Sequence, residues 1–185
     1  MDHGASSYRR FLDGDESGLV EIIRDYKDGL ILYLNGFAKN IHTAEDLMEE
    51  TFVKLVVKKP RFSDKYSFKT WLYTIGRNTA IDHLRRHSRN AGLSPEELQS
   101  IRSDEESLER SYLQKEQNIL IHRAMGRLKT EYRQVLYLSY FEDLSNAQIA
   151  AVMKKSKRQI ENLNYRAKAA LRAELEKEGF VYERL

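Results

Sequence analysis

The 185-residue chain has no cysteine and no apolar run near the ~20 residues that cross a membrane, which excludes disulfides and thiolate chemistry and offers no spanning segment. Only two prolines, with 41% hydrophobic residues, point to packed helices in one large or two small domains. The net charge of +3 conceals four blocks: −6 over residues 1–50, +8 over 51–90, −4 over 91–118 and +5 over 119–185.

Basic blocks attract phosphate, whereas acidic blocks repel DNA and suit a protein partner or solvent. The start, Met1-Asp2-His3-Gly4-Ala5, lacks the charged-then-apolar pattern of a secretory signal, so a cytoplasmic location is expected.

The first helix is expected over 17–38, where Leu19, Ile22, Ile23, Tyr26, Leu30, Tyr33, Leu34 and Phe37 recur at helical spacing. A second runs over 43–58 with Thr43 as its cap and Pro60 as its stop. Leu47, Met48, Thr51, Phe52 and Leu55 share one face of it; Glu45, Asp46, Glu49 and Glu50 fall on the other. The loop 61–67 leads to a third helix over 68–86, with Gly76 placed for close packing.

Residues 88–112 lose this periodicity and read as an acidic polar linker, apart from a short helix that Ser94-Pro95-Glu96 could start. The domains are therefore placed at 1–87 and 113–185, both all-α. In the second, two helices around 119–128 and 132–140 precede a helix–turn–helix. Ser145 with Gln148, and Ser156 with Gln159, have the spacing of capping boxes, each opening a short helix. Ile149, Ala150 and Met153 would then pack on Ile160, Leu163, Ala167 and Leu171.

Such a pair commonly lays its second helix in the DNA major groove. The outward positions there include Lys157, Arg158, Glu161, Asn162, Tyr165 and Arg166, a set able to bond guanine, adenine and cytosine edges. Lys154 and Lys155 suit phosphates. In the first domain, Phe62, Lys65, Tyr66, Lys69, Trp71, Arg77, Asn78, Arg85, Arg86 and Arg89 mix rings with cations, the combination that holds single-stranded DNA. His83 and His87 are four apart but have no evident third metal ligand, so no metal, cofactor or catalytic group is expected. Two other readings remain open: a DNA-binding regulator that melts no promoter, and a helical enzyme with a carboxylate metal site at Asp46, Glu49 and Glu50.

Three segments resemble the extracytoplasmic-function (ECF) sigma factors of bacteria, sigma-70 group IV. Residues 44–52 (AEDLMEETF) resemble the family's acidic second-region helix, 68–86 (FKTWLYTIGRNTAIDHLRR) its promoter-melting helix, and 132–136 (YRQVL) with 144–167 its fourth region. Departures are Glu49 for a usual glutamine, Val56 for a frequent tryptophan, Lys154 or Lys155 for a glycine, and Leu163-Asn164 for arginine–leucine.

The resemblance implies that Asp46, Glu49 and Glu50 dock on the β′ clamp of core RNA polymerase. It implies that Phe62, Ser63, Lys65, Lys69, Arg77, Asn78, Arg85 and Arg86 serve the −10 element. Lys155, Lys157, Arg158, Glu161, Asn162 and Arg166 would then read the −35 element, with the second domain near the β flap. The linker would thread through the polymerase, and an anti-sigma factor is an implied partner. On this reading the chain is a transcription initiation factor and not an enzyme.

Overall fold

The computed structural model describes residues 2–63, 65–91, 116–177 and 179. Among these there are helices and no strands. They are α1 (His3–Leu12), α2 (Ser17–Ala38), α3 (Ile41–Lys58), α4 (Phe68–Ala91), α5 (Glu116–Gly126), α6 (Thr130–Tyr140), α7 (Asn146–Met153) and α8 (Lys157–Lys177). Most of the expected linker, including the short helix at 94–98, lies outside the described residues.

Local chemistry sets the helix ends. Asp2 caps α1 by accepting from the Ala5 amide at 3.2 Å. Its second carboxylate oxygen accepts from the Phe68 amide at 2.5 Å, which ties the start of α1 to the start of α4. α3 begins two residues before its expected start, because Asn40, not Thr43, is the cap: the Asn40 side chain accepts from the Thr43 amide at 2.9 Å. α4 runs on to Ala91, so residues 88–91 are helix rather than linker. Both expected caps of the helix–turn–helix are present. Ser145 and Gln148 form a full capping box, and Ser156 and Gln159 exchange bonds of 2.8 and 3.2 Å.

One apolar core runs through both halves. Leu30, Leu34, Leu47, Leu55, Phe68, Leu72 and Tyr73 fill it in the first; Val135, Leu136, Ile149, Val152, Ile160 and Ala167 continue it in the second. Gly76 lies where α4 crosses α2, and a Cβ there would come within 2.9 Å of Leu30 Cδ1. The halves also meet through polar groups. The Tyr137 hydroxyl donates to the Gly29 carbonyl at 2.9 Å, Lys69 Nζ lies 3.0 Å from Glu142 Oε2, and Arg77 Nε donates to Gln134 Oε1 at 3.3 Å.

Candidate nucleic-acid interface

Three surfaces carry the chemistry. On α8, Lys157, Arg158, Glu161, Asn162 and Arg166 are all exposed, while Ile160, Asn164 and Ala167 turn inward. Ile149, Val152 and Met153 of α7 are buried on the inner side, so the two caps fix the angle at which α8 presents its outer face. An open recess of about 250 Å³ is lined by Lys155, Gln159, Asn162, Leu163 and Arg166. Lys155 is held by Glu131 at 3.0 Å, and Lys157 lies 3.9 Å from Glu161. Tyr165 is 78% exposed. Gln159 was legible only as a cap, and its place in the recess follows from the helix turning it toward Lys155.

The second surface is the loop before α4 and the helix itself. Phe62 is half-buried, its ring 5.3 Å from Trp71 and 5.8 Å from Phe68, in a cluster that includes Tyr8. The ring is thus a supported edge rather than a loose one. Ser63, Lys65 and Tyr66 are exposed, and Lys69, Arg77 and Asn78 half-buried. An open recess of about 440 Å³ is lined by Asp2, Phe62, Lys65, Tyr66, Ser67 and Gln148. Asp2 and Gln148 come from α1's cap and from α7, distant in sequence, and periodicity gives no sign of them. Arg85 and Arg86 are exposed; Arg85 lies 3.9 Å from Asp82, and Arg86 pairs with Glu50 at 3.3 Å.

The third surface is α3. Asp46 and Glu49 are exposed, with Val53, Val56 and Val57 exposed beside them. Glu50 is half-buried and engaged by Lys54 at 2.9 Å as well as by Arg86. The rings of His83 and His87 lie 4.2 Å apart at an interplanar angle of 38°, but no three metal-type ligands gather among the described residues. No described helix is long and apolar enough to cross a membrane.

A recess ringed by cations on a capped second helix, a ring-and-cation loop, and an acidic helix are three separate contact chemistries on one chain. Comparison with known proteins fits them. Residues 22–90 match Sigma-70 region 2, and residues 118–171 match Sigma-70, region 4. The chain is 27% identical over 170 residues to the ECF RNA polymerase sigma factor SigW of Bacillus subtilis, covering 88% of this chain and 91% of that one. It is 31% identical over 144 residues to a protein named as a probable RNA polymerase sigma-C factor in Mycobacterium bovis, covering 76% and 74%. The fold resembles that of the sigma factor RpoE of Bartonella quintana, solved with the anti-sigma factor NepR, at a TM-score of 0.68 and 18% identity over 90% of this chain and 98% of that one. The chain belongs to the sigma-70 family of RNA polymerase sigma factors, in its ECF group, and its function is promoter-specific initiation of transcription.

Proposed function

We propose that the work of initiation divides among the three surfaces. Asp46 and Glu49, with Glu50, dock α3 on the basic clamp coiled coil of the β′ subunit of core polymerase. The loop 62–67 and α4 hold the melted −10 strand: Phe62 and the neighbouring recess take an unstacked base, while Lys65, Lys69, Arg77, Arg85 and Arg86 take phosphates and Asn78 a base edge. α8 enters the major groove at the −35 element, with Arg158, Asn162 and Glu161 on base edges and Lys155, Lys157 and Arg166 on phosphates. The domain 113–185 also meets the β flap. Residues 92–112, between the end of α4 and the second domain, pass through the polymerase.

The chain catalyses no reaction of its own, works in the cytoplasm beside polymerase, and is held by an anti-sigma factor until needed. The observation that carries this reading is the outward set on α8. Five polar residues stand exposed on a helix whose angle is fixed by two capped starts and a buried apolar seam.

Pull-down with core polymerase, followed by selection of promoters from random DNA, tests it. The expected result is co-purification and a two-part consensus with constant spacing. A single enriched box without polymerase dependence would instead indicate a regulator that melts nothing.

A further inference from the structure

Asp2 stands on the wall of the recess before α4 and is the one carboxylate among the described residues that line it. It is half-buried and held at two points. One oxygen accepts from the Ala5 amide at 3.2 Å, the other from the Phe68 amide at 2.5 Å. A carboxylate offers about four acceptor positions, so each oxygen keeps one after these bonds.

Packing builds this placement. Gly4 lets the start of α1 lie against α4: a Cβ there would come within 2.5 Å of Phe68 Cδ1 and of the Tyr26 hydroxyl. One turn on, the Tyr8 ring lies 5.6 Å from that of Phe68 and 5.1 Å from that of Trp71. The Tyr8 hydroxyl donates to the Pro60 carbonyl at 2.8 Å. α1 is thus tied to both ends of the loop 61–67, which fixes its cap residue at the recess.

The other lining residues make no comparable choice. Ser67 and Gln148 can each donate and accept. Phe62 and Tyr66 offer rings on which any base can stack. Lys65 is exposed, its Nζ 5.6 Å from the centre of the Tyr66 ring, and suits a phosphate at the rim. Asp2 only accepts. It repels phosphate and bonds N–H groups, so a nucleotide that enters turns its base inward and presents a donor.

We propose that Asp2 is a specificity-determining residue of the −10 surface: its carboxylate accepts from the exocyclic amine of the unstacked base. Adenine, cytosine and guanine carry such an amine, and thymine is disfavoured because it presents a carbonyl oxygen in its place. The proposal rests on the reading of the loop 62–67 as the site of that base.

The test uses the full chain with core polymerase and a selected promoter pre-opened by mismatches across the −10 element. At each non-template position the bases are exchanged and binding is read by competition in fluorescence anisotropy. Adenine, cytosine and guanine are also compared with purine, 2-pyrimidinone and hypoxanthine, which lack only the amine. With the unmodified chain, loss of the amine at one position is expected to weaken binding about tenfold. Which of the three pairs shows the loss identifies the base.

Asp2→Ser keeps a capping oxygen for α1 but brings no carboxylate to the recess. In that variant the same loss is expected to cost less than about twofold. Asp2→Asn, another strong cap, adds an N–H donor and is expected to narrow the gap to thymine. Each comparison is a ratio within one variant, so a purely structural role of the cap, which weakens all bases alike, leaves the ratios unmoved. An amine effect that persists in Asp2→Ser, or that is absent at every position with the unmodified chain, would overturn the assignment and leave the −10 reading intact. An unmodified complex that binds scrambled pre-opened DNA equally well would overturn both.

Discussion

Arg86 Nη2 lies 3.3 Å from Glu50 Oε2, so the basic end of α4 is bound to the acidic face of α3. Lys54 holds the other oxygen at 2.9 Å. Burial alone would raise the Glu50 carboxyl, but the hydrogen bond and charge of Lys54, with Arg86, outweigh it and hold the group below its ordinary value. Glu50 is therefore occupied within the chain, and the acids fully turned to solvent on α3 are Asp46 and Glu49.

That division gives the first prediction. The double change Asp46→Lys and Glu49→Lys should weaken binding to core polymerase at least tenfold and steepen the loss at higher salt. Because both positions are exposed, thermal stability should stay within about 0.5 kcal/mol. Glu50→Ala should cost binding less and stability more, since it removes the carboxylate that pairs with Arg86 and Lys54. Titration by fluorescence anisotropy beside a thermal melt separates the two. A larger binding loss from Glu50→Ala than from the double change would contradict the assignment.

On α8, Arg158→Ala should weaken binding to the selected −35 box by about 1–3 kcal/mol, with relaxed preference at one position. Lys157→Ala should weaken cognate and scrambled DNA alike and lower the salt slope by about 1. Equal losses on both DNAs for Arg158→Ala would make it a phosphate contact as well.

Lys154 ends α7 with φ of 54° in the left-handed region, where a side chain is strained. It stands at the turn of the helix–turn–helix, and Lys155 closes that turn by donating its amide to the Ala150 carbonyl at 3.0 Å. Lys154→Gly should therefore raise stability by about 0.5–1 kcal/mol in chemical denaturation, with −35 affinity kept. A loss of stability would show that the lysine contributes more by contact than its backbone costs.

His122 gives the chain an acid limit. Its ring is buried, 4.6 Å from that of Phe141 and 6.0 Å from that of Tyr137, and burial lowers its pKa from 6.5 to about 4. The folded chain keeps the ring neutral while the unfolded chain takes up a proton. The stability is thus fully present above pH 6.5, falls as pH drops below it, and levels off below about 4. The loss is on the order of 3 kcal/mol. His122→Leu should flatten the fall between those limits relative to the unchanged chain, read by denaturation at stepped pH. Parallel pH curves for the two chains would remove His122 as the cause.

What the residues disclosed in advance was local. The paired serine–glutamine caps, the apolar faces of α2 and α3 and the acidic stripe at Asp46 and Glu49 depend on neighbours three or four positions away, so spacing exposes them. α1 escapes the periodicity because the buried side holds only three apolar side chains, Ala5, Tyr8 and Phe11, alongside Gly4 and Ser7, too short a pattern beside polar neighbours. Helical spacing points to Thr43 as the cap of α3, but Asn40, a stronger capping residue three positions earlier, is the one that accepts from the Thr43 amide. Phe62 was legible as an aromatic beside cations, but its packing on Trp71 and Phe68 was not. The seam between the halves left no trace in the sequence. Lys69 and Arg77 read as DNA contacts and Gln148 as a cap, Ser67, Gln134 and Glu142 carry no signal of their own, and pairs such as Lys69–Glu142 are 73 positions apart.

The central claim is that this chain and core polymerase together open a promoter, with the ring-and-cation surface around Phe62 and α4 capturing the displaced strand. The direct measurement is 2-aminopurine fluorescence in the non-template strand of the −10 element of a selected promoter, with polymerase present. The account predicts a rise that needs both the chain and polymerase and that falls several-fold with Phe62→Ala and Lys65→Ala combined. Unchanged fluorescence on a promoter that the complex demonstrably binds would contradict it.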